Sequence, residues 1–398
     1  MKILVGSLTI LLMLSSFVTA QIEDMVDIFG YFETQIMGTQ LDNKVYQLFS
    51  NKLRLDLRSD ISEQVTFAAN VNFITYHGKK EWYILDFLPD KVTGSISDEL
   101  YPVFKLNFED EIFLDNAYLK LRFDLFDVTI GKQQISTGTG YVWNPTDVFN
   151  IKDLFDPTYE QPGHNAIMIE IPIGYDYTVS GLYSPESDWE SSTKMVRMKG
   201  RALHFDYTLI AVEREWTFHD YTRLDTESGG FFGIPQKRHL FGISTVGELL
   251  GLGVLAEYAY NDMQYSRSFQ EWVAGINYTF DFQTYFMIEY YHNTLGKEKS
   301  SEYTFNDWMR LFSNEQKTIA RDQVYVLIQH PLTELLDGGL TSVICLSDQS
   351  VVLVPTLTYS LWENVDVMAY FSFNLGEAGT LYDRNLGNGG MFRARIYF

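Results

Sequence analysis

Basic residues recur two or four positions apart in apolar surroundings: Arg54 and Arg58 in "KLRLDLR", Lys120 and Arg122 in "AYLKLRF", Arg197 and Lys199, and Arg393 and Arg395 in "MFRARIYF". At that spacing the cations share one side of an extended chain, because side chains alternate faces along a strand. Asp56, Glu170, Asp206, Glu257, Glu289 and Asp366 fall on the same parity, as does Arg214. Rings of Arg and Lys around a pore select anions. The chemistry on offer is therefore electrostatic selection, with a small basic excess on the inward face of an acidic chain. A second use of the same residues is mutual pairing that does no more than hydrate a polar interior, and the spacing is compatible with both.

Bond-making chemistry has little support. The seven histidines, at 77, 164, 204, 219, 239, 292 and 330, have no metal-ligand spacing such as H-E-x-x-H. "STGTG" at 136–140 lacks the lysine and following helix of a phosphate loop, and no G-x-S-x-G elbow occurs. Asp147, Asp153 and Asp156 do not follow an EF-hand pattern. Cys345 is the single cysteine, set in an apolar stretch, which suits a buried small hydrophobe and excludes an internal disulfide framework. No enzyme, metal or cofactor is expected.

The elements that position the basic residues are strands. "VTFAANVNF", "LGVLAEYAY", "TYFMIEYY" and "VDVMAYFSF" all alternate with period two. Short turns near 59–60, 173–174, 200–202, 281–282 and 362–364 take turns with longer polar links at about 77–110, 136–164, 216–236, 294–321 and 374–388. Shorter links near 184–192 and 261–268 fit the same alternation. That is the layout of an all-β, up-and-down antiparallel transmembrane barrel, with about eighteen strands of roughly ten residues. Twenty-six Tyr and twenty-nine Phe suit aromatic girdles. The first twenty residues, "MKILVGSLTILLMLSSFVTA", have one lysine, an apolar run and small residues before Gln21, the layout of a cleaved export signal. Residues 21–398 then form one barrel domain. The net charge of −22 disfavours nucleic acid as a partner. Acidic outer loops could be bridged by divalent ions to a lipopolysaccharide surface.

The chain ends on an alternating strand in which Phe392, Ala394, Ile396 and Phe398 share one parity, and an unprotected apolar edge there requires a partner strand. The first strand, 27–38, is expected to supply it. A terminal aromatic on the lipid parity resembles the C-terminal signature of Gram-negative outer-membrane proteins, which implies recognition of Phe398 by the barrel-assembly machinery. A second resemblance rests on "GKQ" at 131–133 followed by "NPTD" at 144–147. This is similar to outer-membrane porin-like families, including alginate-export-type barrels, in which a "G-[RK]-Q" strand precedes an "N-P-x-D" loop. It covers residues 131–166 and implies that loop 136–164, with Trp143, Asn144, Pro145 and Asp147, folds into the channel and narrows it. Trp143, Phe149, Phe155 and Tyr159 give the loop apolar mass to pack against a wall. The expectation is an outer-membrane channel for small hydrophilic, and potentially anionic, solutes. Its rivals are an occluded barrel that binds a surface ligand or polysaccharide, and an outer-membrane hydrolase.

Overall fold

Alternation becomes register in the computed structural model, which describes residues 26–41, 44–94, 96–97, 100–152, 160–225 and 229–398. The expected export signal lies outside the described residues, as do Asp153, Phe155, Asp156 and Tyr159. The chain opens with β1 (Asp27–Leu41), β2 (Lys44–Ser62) and β3 (Val65–Gly78). A small hairpin, β4 (Glu81–Tyr83) with β5 (Lys105–Asn107), interrupts the path to β6 (Glu111–Arg122). Next come β7 (Asp127–Gln134), β8 (Gly163–Ile173), β9 (Tyr177–Ser184) and β10 (Thr193–Ala202). The long pair β11 (Phe205–Leu224) and β12 (Phe231–Leu249) is followed by β13 (Leu252–Met263), β14 (Phe269–Thr279) and β15 (Tyr285–Asn293). The last five are β16 (Asp322–Pro331), β17 (Leu336–Cys345), β18 (Ser350–Trp362), β19 (Val365–Asn374) and β20 (Asn388–Tyr397).

Among the described residues, all but β4 and β5 join one antiparallel sheet of 18 strands, each paired with its neighbours in sequence. β20 pairs with β1 as well as β19, with Phe392 opposite Ile36 and Arg395 opposite Glu33, so the sheet closes on itself. Beyond the ladder, Gly30 and Phe398 exchange backbone hydrogen bonds of 3.0 and 3.1 Å. Closure leaves neither edge open, which answers the hazard of an apolar terminal strand.

The two faces differ as the parity requires. Along β8, Ile167, Ile169, Ile171 and Ile173 are exposed, while on the other parity Ala166 is buried and Met168 and Glu170 are half-buried. Ile28, Phe32 and Ile36 repeat this on β1, and Phe392 and Ile396 on β20. Such an apolar exterior is far too extensive for water and suits lipid, with every backbone group satisfied by ring closure. Phe126, Tyr175, Phe280, Phe282, Trp362 and Phe398 lie exposed around one end, as an aromatic girdle would. Among the described residues no helix is long and apolar enough to cross a membrane.

That same end holds the short turns, 63–64, 123–126, 174–176, 203–204, 250–251, 280–284, 332–335 and 363–364, together with Asp27 and Phe398. The longer links, above all 79–110, 135–162, 294–321 and 375–387, lie at the other end. Three expected connections move, the turn expected at 200–202 falling at 203–204 because β10 stays paired through Ala202. The turn expected at 59–60 falls at 63–64, because the β2–β3 ladder continues through an irregularity between Asp60 and Ser62. The link expected at 216–236 shrinks to 225–230, since β11 and β12 stay paired in register, with Glu215 opposite Lys237 and His219 opposite Gly233. Polar residues resemble loop in the sequence, yet a hairpin that projects beyond the apolar belt needs only its backbone ladder and can be polar on both faces.

Part of the interior is filled by the links. The helix Phe305–Phe312 begins at Thr304 with a capping box to Asp307 and buries Phe305, Trp308 and Met309. These side chains join Leu85, Phe104, Trp143, Tyr291 and Leu381 in one apolar cluster against β13–β18.

Candidate functional site: the interior face and the 135–162 segment

Two buried carboxylates on the inner wall hold the "STGTGYVWNPTD" segment. Glu257 of β13 accepts backbone N–H bonds from Thr139 (2.7 Å), Gly140 (3.2 Å) and Thr146 (2.6 Å). Glu289 of β15 accepts those of Tyr141 (2.6 Å), Val142 (3.1 Å) and Trp143 (3.0 Å). Both glutamates share the inward, buried parity of their strands. The segment therefore lies inside the barrel, and its glycines show why the path is tight: a Cβ on Gly138, at φ +90°, would meet the Glu257 carboxylate at 2.7 Å.

The four residues expected in the constriction are all placed here. Trp143 stacks on Tyr291 with ring centroids 5.1 Å apart. Lys317, from the 294–321 link, donates to the carbonyls of Asn144 (2.6 Å) and Pro145 (3.3 Å) and to Glu271 (3.1 Å). Asp147 accepts the N–H groups of Phe149 and Asn150 at 2.9 and 3.0 Å, closing the turn. Burial pushes its carboxyl up, against the pull of those donors.

At the closure seam β1, β2 and β20 bring three of the expected arginines together. Arg54 meets Asp56 and Glu160 at 2.9 Å each and Asp115 at 3.5 Å. Arg395 reaches Glu33 at 2.6 Å and lies 4.2 Å from the Tyr31 ring centre, while Arg393 stands 3.6 Å from the same Glu33. Glu160 precedes β8, and Lys52 and the Tyr31 hydroxyl also bind it, at 2.8 and 2.9 Å. Burial would raise the Glu160 carboxyl, but these partners together hold it below the ordinary carboxylate range.

The other expected cations are not part of this group. Arg58 is half exposed, 3.6 Å from Asp60, and Lys120 pairs with Asp127 at 3.0 Å. Arg122 donates to Thr66 Oγ1 at 2.9 Å. Arg197 binds Ser180 Oγ at 3.2 Å and the Ser136 carbonyl at 3.3 Å, with Glu170 at 3.6 Å. Lys199 joins Arg197 along a cavity of about 340 Å³ on the short-turn side of Thr137–Thr139. On the opposite side a cavity of about 450 Å³ is lined by Asp147, Arg214, Trp216, Arg238, Glu271 and Lys317, among others.

Sequence reading missed Glu33, Glu160, Arg238, Glu271 and Lys317. Glu33 and Arg238 were readable from parity once their strands were placed. Glu160 and Lys317 belong to links, where no period marks a side chain as inward.

A closed antiparallel barrel with an apolar exterior, a charged interior and an inward-folded segment has the architecture of outer-membrane barrels. No protein-family model and no curated protein matches the chain. Among solved structures, a mutant of Rh. blastica porin is similar at 12% identity and TM-score 0.49, over 94% of this chain and 100% of that one. OmpT, an outer membrane protein of Vibrio cholerae, is similar at 12% identity and TM-score 0.46, over 94% of this chain and 97% of its own. Both are likenesses of overall shape, and the fold assignment rests on the strand pairing.

Proposed function

We propose that this chain is a porin-like channel of the Gram-negative outer membrane through which small hydrophilic solutes diffuse passively. On this reading residues 1–20 are cleaved on export, the barrel-assembly machinery inserts residues 21–398, and the apolar face meets lipid and lipopolysaccharide. The observation that carries the proposal is the segment held by Glu257 and Glu289, with a polar, charge-lined cavity on either side of it. A segment pinned across the interior in this way restricts passage by size and charge. No chemistry is assigned to the site.

One observation favours a second reading, an occluded barrel that binds a ligand at its surface. The apolar cluster around Trp308 and Phe104 fills the part of the interior next to β13–β18. Planar-bilayer recordings separate the two, since a channel gives stepwise conductance and a plugged barrel almost none. In the channel, Arg54→Gln together with Arg393→Gln removes two positive charges from the seam. Among the described residues, Asp56 then loses its cation, while Glu160 keeps only Lys52 and Glu33 only Arg395. The reversal potential should then shift toward cation preference. The shift should be largest near 0.01 M salt, where the Debye length is about 30 Å, and shrink as salt rises. An unchanged reversal potential would move selectivity away from the seam.

A further inference from the structure

Arg214 of β11 and Arg238 of β12 are direct cross-strand partners, and both line the 450 Å³ cavity on the long-link side of the inward segment. Such partners hold their Cβ atoms about 5 Å apart, and like charges at that distance are destabilising. Among the described residues, no carboxylate forms an ion pair with either guanidinium. Arg238 spends Nε on Asn261 Oδ1 at 2.8 Å. Its guanidinium carbon lies 5.1 Å from the Trp216 ring centre and 5.4 Å from that of Phe269, which fixes the fork in place. Arg214 has only the more distant fields of Glu186 and Asp147.

Three of the four acids that line the cavity are already engaged. Asp147 accepts two backbone N–H groups. Glu271 receives Lys317 at 3.1 Å and, at 3.2 Å each, the Tyr291 hydroxyl and Asn293 Nδ2. Glu315 is bound by His219, with Arg310 3.9 Å away. Glu215 belongs to the other parity of β11. Two adjacent guanidiniums inside a barrel thus face each other with no described carboxylate in ion-pair contact. Their counter-charge acts only at longer range, from Glu271 on Arg238 and from Glu186 and Asp147 on Arg214.

We propose that Arg214 and Arg238 form a binding site for a small carboxylate on its way through the barrel. The proposal rests on the channel reading and deepens it by naming the solute class. A carboxylate accepts from guanidinium forks in the plane of its two oxygens, the geometry arginine favours. Trp216 and Phe269 offer apolar edges to the carbon body behind it, which inorganic phosphate does not possess. A volume of 450 Å³ falls in the range of small-molecule sites. Beyond Thr137–Thr139, Arg197 and Lys199 line the next cavity, so a released anion meets further cations on its way.

The test is calorimetric titration of the full barrel folded in detergent with glucuronate, glucose and inorganic phosphate, which needs no conduction. Wild type should bind glucuronate saturably, glucose not at all and phosphate more weakly than glucuronate. Arg214→Gln and Arg238→Gln should each weaken glucuronate binding about tenfold or more, the size of one lost charge-assisted contact. Arg214→Lys keeps the charge without the fork and should fall between, and it carries the test if a Gln variant does not fold by far-UV circular dichroism. Absent glucuronate binding, binding unchanged in the variants, or tighter binding of phosphate would each overturn the site. A barrel that binds glucuronate through these arginines yet carries no current would overturn the channel reading and leave the site standing.

Discussion

Glu289 shows how one residue decides whether the interior is open. It is fully buried, and its two oxygens take three consecutive backbone N–H groups of the inward segment. Replacing it with Ala leaves those donors without an acceptor, at a cost of about 1–3 kcal/mol for each that stays buried. Release of the segment is the cheaper response. Glu289→Ala should therefore raise single-channel conductance and lower the thermal unfolding transition. Glu289→Gln, which keeps one carbonyl oxygen, should do so less. Equal conductance and equal melting in wild type and Glu289→Ala would show that Glu257 alone holds the segment. From the sequence, Glu289 was legible as an inward acid, because strand parity places it. Its partners were not legible, because they are backbone groups of a link without period.

Links and hairpins behave differently at the scale of elements. Outer-membrane barrels carry tight turns on the periplasmic side and long loops outside, which puts the 79–110 and 294–321 links of the proposed channel outside the cell and the 63–64 turn in the periplasm. Trypsin added to intact cells should cut the second link after Lys299, which is exposed. Arg310 should be spared, because it lies 3.6 Å from the Phe218 ring centre and donates to the His219 carbonyl at 2.8 Å. Cutting after Lys299 only once the outer membrane is opened would reverse the orientation. The 294–321 boundaries were legible because β15 and β16 both end where apolar alternation ends. The β11–β12 connection was not, since these strands run on past the alternation, and pairing with a neighbour is a long-range property.

For the whole molecule, closure is the event on which everything else depends. Phe398 contributes two backbone hydrogen bonds to Gly30, and its ring lies so close that a Cβ on Gly30 would stand 3.3 Å from it. Deleting Phe398 removes the last rung of the β1–β20 seam. The yield of assembled, heat-modifiable barrel should fall, while the conductance of molecules that do assemble stays that of wild type. A normal yield would show that neither the rung nor the terminal aromatic assists assembly in this chain.

The sequence by itself determined the all-β class, the strand number, the closure of last strand on first and the parity that separates lipid-facing isoleucines from inward arginines. It could do so because these are local, period-two properties repeated around the ring, and each strand constrains the next. Only the tertiary structure decided which acids meet which arginines. Glu160 arrives at Arg54 from 106 positions away, and Lys317 reaches Asn144 across 173. Links carry no periodicity that aims their side chains, so their partners are chosen by where the closed wall leaves carboxylates and space. The opposed Arg214 and Arg238 belong to both levels. Each is inward by parity, but that they face one another follows from a register set by the hairpin between them.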